Sequence, residues 1–115
     1  METRLPEPDV LYVVLPPEPM LRPELTLLRQ RLPQEPDRHL ILDLSRVEII
    51  TSPSIGSVLL LQRQLTQQGH WLILCGARLT TRCILQVARL DALLEFAEDE
   101  AEALIAVRRP AVRTR

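Results

Sequence analysis

The 115-residue chain has no lysine, three glycines, three aromatic residues and two cysteines, and each shortage removes a class of function. A Walker-type phosphate cradle needs two well-placed glycines and a lysine, so that route to a nucleotide is closed. Tyr12, Trp71 and Phe96 are too few to stack bases, and a formal net charge of −1 supplies no basic field, so no nucleic-acid partner is expected. Cys75 and Cys83 form neither a C-x-x-C pair nor a disulfide framework. Both are expected as small core residues, Cys75 at the end of a buried strand and Cys83 on the inner face of a helix. His39 and His70 each precede an apolar run without the spacing of paired metal ligands, so neither metal nor cofactor is expected. No run approaches the ~18 apolar residues of a membrane span. The first eight residues carry acids and prolines where a secretory signal is basic and then apolar. A cytoplasmic protein without direct membrane insertion is expected.

What is present is 46% apolar residues in short, punctuated runs. Val10–Leu15 (VLYVVL) reads as a strand closed by Pro16-Pro17. Leu21, Leu25, Leu28 and Leu32 recur at helical spacing, with Pro23 tolerable in the first turn. "HLILDL" and "HWLILC" are nearly all apolar, as inner strands covered on both faces should be. Between them the spacing predicts a helix over about Ser54–Gln68, with Ile55, Val58, Leu59 and Leu65 inward. A third helix starts near Thr80 with Leu79, Cys83 and Val87 as its inner stripe and Ile84 beside them. Phe96-Ala97 fits a short strand, and Asp99–Val107 a last helix with Ala103, Leu104 and Val107 inward. The acids Glu95, Glu98, Asp99, Glu100 and Glu102 gather around that helix start, where they complement its positive end. Strands alternating with helices imply parallel pairing by right-handed crossovers. The expectation is one α/β domain over residues 10–107 with a mainly parallel central sheet and about four helices. A flexible segment (1–9) precedes it and a basic tail (108–115) follows.

The stretch most open to function is "VEIITSPSIGSVLLL", Val47–Leu61. "SPSIG" has serine where a nucleophile elbow needs its first glycine, so it is no Gly-x-Ser-x-Gly motif. Thr51–Ser54 falls between a strand end and a helix start, where open α/β sheets place their sites and where free N–H groups favour an anion. Ser52 before Pro53 also fits an N-cap followed by proline at the first helical position. Cap and modification site both stay open on spacing alone.

Taken together, "HLILDLSRVEIITSPSIGSVLLLQRQLTQQGHWLILCG" and "CILQVARLDALLEFAEDEAEAL" resemble a STAS domain, the family of bacterial anti-sigma factor antagonists. In that family the strand leads through a few residues into Asp-Ser-Ser-Gly-Leu-Gly at a helix start, and here "TSPSIG" stands in its place. The resemblance puts Ser52 on the serine that a partner kinase phosphorylates, Ile55 on the helix's first core leucine and Gly56 on the second glycine. Thr51 stands for the family's aspartate, Pro53 for its second serine, Ser54 for its first glycine, and Arg89 for the glycine before Leu90.

The implied function is a non-enzymatic regulatory module in transcription signalling that binds a protein partner, such as an anti-sigma factor kinase, through the Thr51–Ser54 loop and the following helix. Ser52 is the expected phosphorylation site, with Thr51 and Ser54 as fallbacks. The helical wheel adds Pro53, Ser57, Leu60 and Gln64 as an outward stripe for the partner. Two alternatives use the same surface: an accessory STAS subunit of a lipid-transport ABC ATPase, and a small nucleotide-binding protein or enzyme with its pocket at the strand ends.

Overall fold

Five short runs form one sheet, and the connections between them decide which face each helix covers. The computed structural model describes residues 2–34 and 37–110. Its elements are β1 (Glu2–Glu7), β2 (Val10–Val14), α1 (Leu21–Arg31), β3 (His39–Asp43), α2 (Ser52–Gln67), β4 (Leu72–Cys75), α3 (Leu79–Val87), β5 (Glu95–Ala97) and α4 (Glu100–Ala106). The order of strands in space is their order in the chain. β2 to β5 pair in parallel, and β1 lies antiparallel on the edge of β2.

That edge corrects one expectation, since the first nine residues were read as a flexible segment. Glu2–Glu7 is exposed along most of its length and so has no apolar alternation to betray it. Backbone pairing to β2 holds it, with the Arg4 guanidinium 4.5 Å over the Tyr12 ring and 2.9 Å from Glu100 of α4. Pro6 falls where the register shifts between Arg4 and Glu7, a place that tolerates a residue without an N–H. Of the expected basic tail, Arg108 is tied down by a fork onto Asp9 at 2.7 Å and a further pairing with Glu7. Residues 111–115 lie outside the described residues.

Successive strand residues point to opposite faces, and both faces are covered. Leu11, Val13, Leu40, Leu42, Leu72 and Leu74 form one core with α1, α2 and α3. Val10, Tyr12, Ile41, Ile73 and Cys75 form the other with Ala103 and Val107 at α4. α1 follows its spacing, burying Leu21, Leu25 and Leu28, with Pro23 in its first turn. Asp99 caps α4 by accepting the Glu102 N–H at 2.9 Å.

The second face also carries a polar triad of buried Tyr12 and Cys75 with the half-buried Asp43. The Tyr12 hydroxyl donates to Asp43 Oδ2 at 2.5 Å and lies 3.5 Å from Cys75 Sγ, while Asp43 Oδ1 accepts the Ser45 N–H at 2.8 Å. Burial pushes the Cys75 thiol up to about 11, so it stays protonated at neutral pH. Burial alone would raise Asp43 too, but the bonds from Ser45 and Tyr12 hold it below the usual carboxylate range.

α3 departs from its apolar pattern. Leu79, Cys83 and Val87 face outward, Leu79 at 77% and Val87 at 87% exposure, whereas Thr81 and Leu85 are buried and Ile84 packs beside them. The reason is a set of hydrogen bonds at the start of the helix. The Thr81 hydroxyl donates to the Val47 carbonyl at 3.3 Å, the Thr80 hydroxyl to the Glu48 carbonyl at 2.6 Å, and Arg78 Nε to the Ser45 carbonyl at 3.1 Å. Anchoring these side chains to the β3–α2 loop satisfies backbone carbonyls and fixes the rotation of the helix. The aliphatic stripe is thereby turned to the outside. The helix closes at Arg89, which adopts φ 61°, and the Leu90 N–H bonds to the Leu85 carbonyl at 2.8 Å. This left-handed position is the one where the resemblance drawn from the sequence leads to an expected glycine, the residue that adopts it without steric cost.

Candidate functional site

The mouth of α2 lies at the carboxyl end of β3, where the chain leaves the sheet. Thr51 is extended (φ −92°, ψ 161°) and is the N-cap; Ser52 and Pro53 open the helix. The cap therefore sits one residue before the expected Ser52. Thr51 does not cap in the usual way, since its hydroxyl accepts nothing from the first turn. Instead its N–H and its hydroxyl both donate to Oε2 of Glu18, at 2.9 and 2.7 Å. Thr51 Oγ1 also lies 3.3 Å from Ser54 Oγ.

Glu18 belongs to the loop between β2 and α1, so its carboxylate reaches the helix mouth from a separate connection. Burial pushes its pKa up, but the Thr51 N–H, the Thr51 hydroxyl and the Ser54 hydroxyl outweigh burial and hold it below the ordinary glutamate value. A negative group there is favoured by the helix dipole as well. Thr51 stands where the resemblance leads to an expected aspartate, yet a carboxylate sits against this residue all the same. Sequence reasoning missed Glu18. Its one signal was an acid in a proline-rich turn at a strand's carboxyl end, and no local spacing links residues 33 apart.

The remaining site residues separate into exposed and buried sets. Ser52 and Pro53 are exposed, Leu60 is 44% exposed and Gln64 is half-buried. Ser54 is fully buried and Ser57 is 7% exposed, so neither belongs to an outward stripe and Ser54 offers no accessible hydroxyl. Their small side chains sit on the inner face of α2 with Val58, Leu61 and Leu65, rotating the buried arc away from Ile55 and Leu59, which are only partly covered. Polar composition suggested the surface; small volume on a closely packed helix face decided otherwise. Beside the mouth, Pro17, Glu18, Arg46, Glu48, Ile49 and Thr51 line a shallow cavity of about 530 Å³.

At the opposite end of the strands the fold brings His39 and His70 together, their ring centroids 5.0 Å apart. His39 Nδ1 accepts the Trp71 N–H at 3.0 Å, and its Nε2 lies 4.0 Å from Asp9. No group of three or more His, Cys, Asp or Glu side chains suited to a metal occurs among the described residues. Among them, too, no helix is long and apolar enough to cross a membrane.

Comparison with known proteins agrees with this architecture. The STAS domain model matches residues 24–103, and the chain belongs to the STAS domain family. The Thermotoga maritima protein TM1081, proposed as an anti-sigma factor antagonist, is 20% identical with a TM-score of 0.77 over 94% of each chain. An anti-sigma-factor antagonist (STAS) domain protein of Planctomyces limnophilus is 19% identical with a TM-score of 0.77, over 92% of this chain and 96% of that one. The phosphorylated Bacillus cell fate determinant SpoIIAA is 20% identical with a TM-score of 0.69, over 93% and 98%. At these identities what is shared is the fold. No curated protein sequence matches the chain.

Proposed function

We propose that this STAS domain is a non-enzymatic cytoplasmic regulator that binds a protein partner at the mouth of α2, through Thr51, Ser52 and Pro53 and the outward residues Leu60 and Gln64. The observation that carries the reading is the exposed Ser52 in the first turn of α2, beside a loop held in place by Glu18. A kinase needs an accessible hydroxyl, and an anti-sigma factor of the kinase type is the partner class the family suggests. A phosphate on Ser52 would add roughly −1.5 to −2 charges at the contact, enough to change partner affinity by repulsion or by pairing with arginine.

One observation favours the second reading, an accessory subunit of a lipid-transport ABC ATPase. Glu18 already places a carboxylate at the helix mouth, and a second anion beside it would be repelled. A partner that docks on a constitutively acidic mouth needs no phosphate. The same carboxylate weighs against a nucleotide pocket there, since it occupies the Thr51 N–H that a phosphate would use.

Peptide mapping of the protein isolated from its own host, in growth and in stress, together with identification of what co-purifies with it, tests these readings. A phosphate on Ser52 and a kinase-type anti-sigma factor are the expected result. Unmodified Ser52 with an ABC ATPase would transfer the argument to the second reading. Binding that survives Ser52→Arg together with Leu60→Glu would remove the α2 mouth as the contact.

A further inference from the structure

The outward stripe of α3 is an apolar surface that the α2 mouth does not use. Leu79, Cys83 and Val87 recur at intervals of four, and Cys83, Ile84, Val87 and Ala88 line an open groove of about 420 Å³. Scattered exposed aliphatics are ordinary, but these three form a continuous ridge on one helix whose other side is already committed to the sheet. The helix thus carries two apolar faces, and the chain itself covers one.

Charge indicates what covers the other. From Gly76 to Leu90 the sequence holds Arg78, Arg82 and Arg89 and no acid, in a chain whose formal net charge is −1. Arg78 and Arg82 have partners within the chain, Glu48 at 3.2 Å and Glu98 at 3.4 Å. Those carboxylates are about three-quarters exposed, so the pairings are weak and easily exchanged. Arg89 is the second observation. It occupies a left-handed position that glycine would take without strain, and so sets a guanidinium at the end of the stripe at a conformational cost. A second copy of the same face would bring arginines against arginines.

We propose that the outward face of α3, with Leu79, Cys83 and Val87 as its ridge and Arg78, Arg82 and Arg89 around it, docks an acidic amphipathic helix of a partner protein. The groove accepts apolar side chains one helical turn apart, and carboxylates on the incoming helix take over the guanidinium pairings. This surface is separate from the α2 mouth and does not depend on it.

The test uses the full chain and two fluorescent helical peptides that share a leucine ridge, one flanked by glutamates and the other by lysines, with binding read by anisotropy. Near physiological salt the glutamate peptide is expected to bind at least about tenfold more tightly than the lysine peptide, with the difference shrinking as salt rises. Val87→Glu should weaken it roughly tenfold or more, and Arg89→Gly by a smaller factor. Leu60→Glu should leave it unchanged, which keeps this result independent of the α2 reading. Far-UV circular dichroism checks that Val87→Glu is folded, and Val87→Ser serves as a milder variant. Equal binding of the two peptides, binding of neither, or binding unaffected by both Val87 variants overturns the proposal. A dimer that Val87→Glu dissolves in sedimentation would make a second copy the occupant, and adsorption to phosphatidylglycerol vesicles that Val87→Glu abolishes would make it a membrane; either also overturns it.

Discussion

α2 and α3 leave the sheet at neighbouring strand ends, yet they treat their apolar residues in opposite ways. α2 packs Val58, Leu61 and Leu65 inward and takes two serines with them, whereas α3 packs a threonine and one leucine inward and leaves Leu79 and Val87 in solvent. The difference lies at the helix starts. Glu18 holds α2 by the backbone and hydroxyl of its N-cap, and the helix barrel then turns to suit the core. α3 is held by Thr80 and Thr81 through their side chains, and these set its rotation whatever the aliphatic pattern prefers. An apolar stripe marks a face to be covered; it does not say whether the same chain covers it.

The sharpest way to break the comparison is to truncate one inward and one outward aliphatic. Leu61→Ala, at a fully buried position, is expected to cost ~2–5 kcal/mol in urea unfolding. Val87→Ala should fall within about 0.5 kcal/mol of the parent. A loss of similar size at both would mean that α3 buries its stripe in solution.

A second measurement removes the anchor of α2. Glu18→Ala is expected to cost ~1–2 kcal/mol, the usual range for losing a helix cap and leaving its donors unpaired. The pH dependence follows from the direction of the Glu18 shift. Its folded pKa lies below the unfolded one, so its stabilisation is complete above about pH 4.5 and is lost as the pH falls through the folded value. Chemical denaturation between pH 6 and pH 3 should therefore show a shallower acid loss for Glu18→Gln than for the parent, and identical slopes would remove Glu18 as an anchor.

Arg89→Gly should act in the other direction, stabilising the fold by about 0.5–1 kcal/mol through relief of the left-handed strain. A raised melting temperature is the expected readout; a lowered one would mean that the arginine side chain holds the end of α3. The smallest effect concerns Leu60→Glu, which should change stability by less than about 0.5 kcal/mol at a partly exposed position. Unfolding of that variant would place Leu60 in the core.

The sheet was legible wherever residues are covered on both sides, because β3 and β4 then have to be continuously apolar. β1 was not legible, since an exposed edge strand owes its pairing to backbone groups that every residue carries. The position of the candidate site could be read at Thr51–Ser54 because strand ends and helix starts have recognisable residues. Its chemistry could not, because the carboxylate that holds Thr51 comes from Glu18 across the fold. Ser54 and Ser57 were misread for a related reason: hydropathy ranks a serine by its hydroxyl, whereas a helix packed closely against its neighbours also responds to how little space it fills.

Because the strands lie side by side in chain order, the sheet can grow in one direction. A chain emerging from the ribosome can lay each new strand on an edge already in place, and no later strand has to be inserted between two earlier ones. The hairpin of β1 and β2 closes locally, and each parallel strand then waits only for its own crossover helix. The two faces mature at different times: α1 covers its side early in synthesis, while Val10, Tyr12, Ile41 and Ile73 remain bare until α4 is made. One face of the sheet is therefore closed only by the last helix in the chain, so its cover depends on the stretch of sequence farthest from the strand that opens it.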